Sequence, residues 1–162
     1  MTLPELTESI QKAVLKKSTK ADIKDEKISG FKLTNDNPLP DIHLRFERVT
    51  FLGDLDLEQI RFPKGVSFID VDFLGLATFQ LAQFDGPAYF WKCRFHRRAD
   101  FFRVSVNKFN YPGSRRFAGE VNFSYCEFKE DASINRAVFA GPAFFHRTIF
   151  RRNVNFNETR FE

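Results

Sequence analysis

The chain is poor in the residues that most often carry chemistry. Its 162 residues include two cysteines, three histidines, one methionine and one tryptophan. Cys93 and Cys126 have no cluster of further ligands around them, which argues against a metal site or a disulfide framework. His43, His96 and His146 lie far apart. There is no Gly-rich phosphate loop, no nucleophile elbow and no set of spaced metal ligands. No run approaches the ~18 apolar residues of a membrane span, and no early segment has the apolar core of a signal peptide. The expectation is a cytoplasmic protein that is not an enzyme and holds no cofactor or metal.

What the chain has in abundance is phenylalanine, 22 residues of it, and these keep time. Phe51, Phe62, Phe73, Phe84 and Phe95 recur at an interval of eleven, as do Phe117, Phe128, Phe139, Phe150 and Phe161, with Val106 between the two runs. A second series on the same period holds Phe46, Leu57, Phe68, Phe79, Phe90, Phe101, Pro112, Phe123, Ile134, Phe145 and Phe156. The steps therefore alternate 5 and 6 from residue 46 to residue 161. Two positions before most of these residues stands a small or aliphatic one, such as Val66, Ala77, Ala88, Cys93 or Ala99. Apolar pairs two apart, separated by polar residues, predict very short strands with two side chains on one face. Spacings of 5 and 6 do not fit the 3.6 period of a helix. Cys93 and Cys126 sit on small positions and read as buried small hydrophobes.

Stretches such as Val66-Ser67-Phe68, Ala77-Thr78-Phe79, Ala82-Gln83-Phe84 and Ala99-Asp100-Phe101 resemble the pentapeptide-repeat family, in particular its Phe-rich form with alternating five- and six-residue steps. The resemblance covers roughly residues 44 to 161. The family's more familiar pattern is strict fives with central Leu, so the alternation is a departure. The resemblance implies an all-β solenoid, a right-handed four-sided β-helix with four steps (22 residues) per coil and about five coils. Stacked coils then bury a continuous column of rings that no coil could bury alone. A buried aromatic removes ~150–250 Å² from water, and at ~25 cal/mol per Å² this offsets the ordering of several residues.

Two regions depart from the clock. Residues 1–40 are expected to form an amphipathic helix and a linker ahead of a β-helix at 41–162. Thr2 and Glu5 make a capping box, and Leu3, Leu6, Ile10 and Val14 form an apolar stripe. The helix should end near Lys16 and Lys17, followed by a charged linker from Lys20 to Lys27 and a Pro-rich turn at Asn37-Pro38-Leu39-Pro40. It either caps the first coil or docks a partner. Between Ser105 and Arg116 the count holds but the filling fails, and Tyr111-Pro112-Gly113-Ser114 is a turn signal. The segment is either an irregular coil or a projecting recognition loop. At the other end Phe161-Glu162 is in phase with the repeat and no capping helix follows. A homodimer through the coil around Phe150, Phe156 and Phe161, coverage by another protein, or a longer natural chain would each protect such an end.

Charge is uneven. Residues 46–91 carry three Lys/Arg and seven Asp/Glu, whereas residues 92–162 carry fourteen and seven. Folded at 22 residues per coil, Arg94, Arg116 and Arg160 share a column, Tyr89 lies under Tyr111, and Ile69 lies under Trp91. Ile69, Tyr89, Trp91, Arg94, Phe109, Tyr111, Arg115 and Arg116 are therefore the candidate partner-binding residues, because outward Tyr, Trp and Arg are the types most common in hot spots. Rim packing under the N-terminal arm is the plainer explanation of the exposed rings. The leading expectation for function is a rigid, non-catalytic module that binds another protein. The family resemblance implies a second, mimicry of DNA toward gyrase, although the net charge of +4 and the pI near 9.2 oppose it. A third is nucleic-acid binding through the Arg-rich half.

Overall fold

The computed structural model describes residues 1–15, 18–33, 39–106 and 120–162. Its body is a parallel β-solenoid of about six turns with ~22 residues per turn and one short N-terminal helix. Four parallel sheets form the four sides, each built from one short strand per coil. The first side stacks His43–Glu47, Val66–Ile69, Ala88–Trp91, Val121–Asn122 and Ala143–Phe144 in register.

The core follows from the clock. Phe46, Phe68, Phe90, Phe123 and Phe145 form one inward column, with ring centroids 4.8–5.3 Å apart and nearly parallel planes. Phe51, Phe73, Phe95, Phe128 and Phe150 form the next, at 4.6–5.3 Å. Between columns the rings meet edge to face, as at Phe79 and Phe90, where the planes cross at 89°. Both arrangements suit the ring quadrupole. The small positions Val66, Ala77, Ala82, Ala88 and Ala99 are fully buried beside the rings. Cys93 and Cys126 belong to this set and are free thiols. Each donates to a carbonyl of the coil before it, Cys93 to Phe68 and Cys126 to Phe90. Thr148 occupies the equivalent slot one coil later and donates to Phe123 O at 2.8 Å. Burial, and then the neighbouring Cys126, pushes the Cys93 thiol well above its ordinary range.

The alternation of 5 and 6 has a physical cause. The five-residue steps turn through a left-handed residue two places after the inward ring: Arg48, Asp70, Lys92, Tyr125 and Arg147 at one corner, and Gln59, Leu81, Arg103, Arg136 and Glu158 at the opposite one. The six-residue steps use an extra residue instead, and among the described residues Gly65 is the one left-handed position within them. A left-handed residue with a side chain costs ~1–2 kcal/mol, and glycine's greater freedom in the unfolded chain costs ~0.5–1 kcal/mol. Gln59 is exposed, with φ of 61°. Gln59→Gly should therefore stabilise the rod by up to about 1 kcal/mol, read as a rise in the urea midpoint.

Two sequence expectations need correction. The stretch Lys20 to Lys27 is not a linker. Strands β1 (Lys20–Lys24), β2 (Lys27–Ile28) and β3 (Phe31–Lys32) form a first coil that pairs with the strands beginning at His43, Thr50 and Leu55. It escapes the clock for two reasons. Its inward residues are Ala21, Ile23 and Ile28 in place of rings. Its pairs Ile23↔Phe46, Ile28↔Phe51 and Phe31↔Leu55 are also separated by one or two positions more than a regular coil. Helix α1 (Leu3–Leu15) closes this coil, with Leu6 and Ile10 buried in the core. The capping box is in place, since Thr2 N donates to Glu5 Oε2 at 2.6 Å. Lys16, Lys17, Asn37 and Pro38 lie outside the described residues.

The register also departs from a uniform 22-residue stacking. Ala77 pairs with Ala99, one regular coil on, but Ala99 pairs with Ala132, a coil and a half on. All four sides make the same jump, as Ala88↔Val121, Arg94↔Glu127 and Ser105↔Val138 show. A surplus of half a coil thus enters between Val106 and Val121. Residues 107–119 are outside the described set, so Phe109, Tyr111, Arg115 and Arg116 have no described place. The column of Arg94, Arg116 and Arg160 does not form. Arg94 stacks between Asp72 and Glu127, while Arg160 aligns with Val138 on another side. Tyr89 aligns with Asn122, not Tyr111.

Candidate protein-interaction face

The register jump builds a surface that an uninterrupted repeat does not produce. Trp91 lies beside Ile69 as expected. At the corner that follows, the column of left-handed residues runs Asp70, Lys92, Tyr125, Arg147. Trp91 and Tyr125 meet edge to face at 6.2 Å, and Tyr125 meets His146 in the same way at 5.4 Å. Lys92 Nζ sits 4.4 Å from the Trp91 ring centroid, and the Arg147 guanidinium 5.8 Å from that of Tyr125. Cations at these distances are drawn to the ring face. Trp91 is 37% exposed, Tyr125 41% and Phe144 39%. The left-handed backbone points Tyr125 out from a corner, whereas its neighbours Ser124 and Cys126 are buried.

Of the residues named from the sequence, the structure places Ile69, Tyr89 and Trp91 on one side, and Arg94 on the adjoining side, where it reaches back to Asp70 at the corner. Tyr89 is half-buried, and its hydroxyl donates to Glu120 Oε2 at 3.1 Å. Tyr125, Phe144 and His146 were missed. Phe144 was signalled by being off the clock, but Tyr125 reaches Trp91 only because of the surplus.

Arg94 is not a free cation. Its Nε and Nη2 donate to the two oxygens of Asp72, both at 2.6 Å, and Nη1 reaches Asp70 at 3.2 Å. His96 Nε2 is also 2.9 Å from Asp72. Similar pairs join neighbouring coils elsewhere: Arg48 with Asp25, Arg61 with Asp85, Arg136 with Glu158, and Arg151 with Glu127. Within residues 46–91, Glu47, Asp56, Asp70, Asp72 and Asp85 each face a cation, and pairs this exposed are each worth ~0–1 kcal/mol. No ion pair engages Lys92 or Arg147 among the described residues.

The Arg94 guanidinium, and after it His96, holds the Asp72 carboxyl below the usual carboxylate range. A carboxylate with a lowered folded pKa stabilises the fold above its unfolded value of ~3.9, and the contribution fades as pH falls through the lower folded value. The urea midpoint should therefore drop on acidification below about pH 4. Asp72→Asn should lower the midpoint at neutral pH and flatten that acid limb, as a pH series of unfolding curves would show.

The arrangement can bind but has no catalytic grouping among the described residues. No group of three or more His, Cys, Asp or Glu among them could hold a metal. No described helix is long and apolar enough to cross a membrane. No curated protein and no solved structure matches the chain. A family model described as pentapeptide repeats, in 9 copies, matches residues 57–105 and 123–162, stopping on either side of the place where the surplus enters. The matched residues make up more than half of the chain, and they carry the inward rings and four-sided stacking described above: the protein belongs to the pentapeptide-repeat family.

Proposed function

We propose that this protein is a non-catalytic, cytoplasmic interaction module whose rigid solenoid presents the Trp91–Tyr125 face to another protein. One observation carries the reading. Among the described residues the exposed Phe, Tyr and Trp rings are Trp91, Tyr125, Phe144 and Phe161, all in the later coils, and the first three share one side and its corner with Lys92 and Arg147. Trp, Tyr and Arg are the residues in which binding energy concentrates, and a stacked core holds them in place with little further ordering cost on binding. The test is affinity capture from extracts of the source cell by wild type and by the Trp91→Ala/Tyr125→Ala double variant. Both changes lie on the surface, so the fold should survive, and circular dichroism checks this. A partner retained equally by both proteins refutes the assignment of the face.

Self-association is favoured by a separate observation. Phe145, Phe150, Val154 and Phe156 are only partly buried and Phe161 is 60% exposed, although the corresponding residues of earlier coils are fully buried. A second copy stacked on this coil would cover them. Light scattering should then give a dimer, and Phe161→Asp should give a monomer. Nucleic-acid binding has less support, because many arginines of the later coils are already paired with carboxylates. Tight, salt-sensitive binding of an oligo-dT probe that Trp91→Ala abolishes would transfer the face to that ligand. Mimicry of DNA toward gyrase has the least, since most of the acidic side chains that would replace phosphates, Glu47, Asp56, Asp70, Asp72 and Asp85, are themselves paired.

A further inference from the structure

Across the core from the aromatic face, the third side carries a groove of about 580 Å³. Four successive coils line it. Gln80 of the first is followed by the rows Arg98, Asp100 and Phe102, then Asp131, Ser133 and Asn135, then Asn153 and Asn155, aligned by the pairs Asp100↔Ser133 and Ser133↔Asn155. Rows repeat at the ~4.8 Å spacing of parallel strands.

The floor is settled chemistry. The Asp100 carboxylate is almost fully buried and accepts from Gln80 Nε2 at 2.8 Å, Arg98 Nη2 at 2.9 Å and Phe102 N at 3.0 Å. The later rows are half used. Asn155 Oδ1 accepts from Asn157 N at 2.9 Å, Asn135 Oδ1 accepts from Ser133, and Asp131 Oδ1 accepts from Asn153 N at 3.2 Å. These bonds occupy one end of each group. They leave the amide N–H groups of Asn135 and Asn155 and the second oxygen of Asp131 without a protein partner among the described residues. The groove thus presents both donors and acceptors.

We infer that this groove binds a neutral oligosaccharide. A hydroxyl donates and accepts at once, so a surface of carboxamides, a carboxylate and a guanidinium meets adjacent hydroxyls from both directions. The charged lining residues, Arg98, Asp100 and Asp131, sum to −1, which disfavours nucleic acid and acidic polymers. Phe102 is half-buried, with the Arg103 guanidinium 5.4 Å from its ring centroid, so a donor stands beside the ring at this end of the groove. The volume lies within the ~300–1,000 Å³ of small-ligand sites. Polar rows at a fixed rise suit a polymer that also repeats. This site is independent of the Trp91 face.

The test is titration calorimetry of the full chain with cellohexaose, maltohexaose, chitohexaose and mannohexaose. One series should bind, with little dependence on salt. Loss of one hydrogen bond in Asn135→Ala or Asn155→Ala should weaken it about three- to tenfold, while Trp91→Ala leaves it unchanged. Each variant also loses the local bond at its Oδ1, so a small drop in urea midpoint is expected and an unchanged circular dichroism spectrum confirms the fold. No heat with any of the four, or binding that neither asparagine variant weakens, overturns the proposal.

Discussion

Phe90→Ala should destabilise the protein by about 3–5 kcal/mol, the range for deleting a buried ring and leaving its cavity. Phe90 is 1% exposed and sits at the middle of the ring network. It stacks on Phe68 at 5.1 Å and on Phe123 at 4.8 Å, and takes Phe79 and Phe101 edge-on at 5.3 Å each. Collapse around the gap is hindered, because each neighbouring ring is held by its own column. In a solenoid each coil contacts only the next, so the damage falls on the junction between the coils before and after residue 90. Urea unfolding should shift to a lower midpoint and split into two steps as the two ends uncouple. Phe90→Leu, which restores most of the volume, should cost less than about 1.5 kcal/mol and keep one step. Equal losses in the two variants would mean that ring stacking, and not filled volume, accounts for most of the stabilisation at this position.

Gly65→Ala should have a comparable effect from one methyl group. Gly65 has φ of +81°, and a Cβ there would lie 2.2 Å from Pro87 O and 2.8 Å from Gly86 C on the next coil. Those are backbone atoms, and Pro87 O already accepts from Val66 N at 3.0 Å in the ladder. The methyl must therefore push two coils apart or break that bond. Left-handed strain of ~1–2 kcal/mol and overpacking of ~1–3 kcal/mol together predict a loss of about 2–5 kcal/mol, read from the urea midpoint. An alanine protein as stable as wild type would show that this corner has room to move.

The inward half of the structure was legible because burial imposes it at every step. Phe at a fixed interval with a small residue two places before it specified which residues face in, and the family pattern carried by the same residues implied four sides. The outward half was less so. The corner residues Arg48, Gln59, Leu81 and Tyr125 are left-handed although none is Gly or Asn, the types that signal such backbone. Their conformation is set by the coils stacked on either side and leaves no mark in residue type. The first coil was hidden because Ala21, Ile23 and Ile28 replace rings there and its spacing is longer. The candidate site suffered most. The surplus between Val106 and Val121 equals one full period of the clock, so every later Phe stays in phase while its neighbours change. Trp91 could be singled out as exposed, but its partner Tyr125 could not.

That surplus says how the rod can vary. The surplus lies between two strands on successive sides, and the ring columns before and after it stay in contact, Phe90 with Phe123 and Phe95 with Phe128. Loop closure becomes harder only with the logarithm of loop length. The corners therefore act as sockets, where segments of different length can be exchanged without recutting the barrel of the bolt. Specificity can be rewritten there while the core sequence stays under its own, separate constraint.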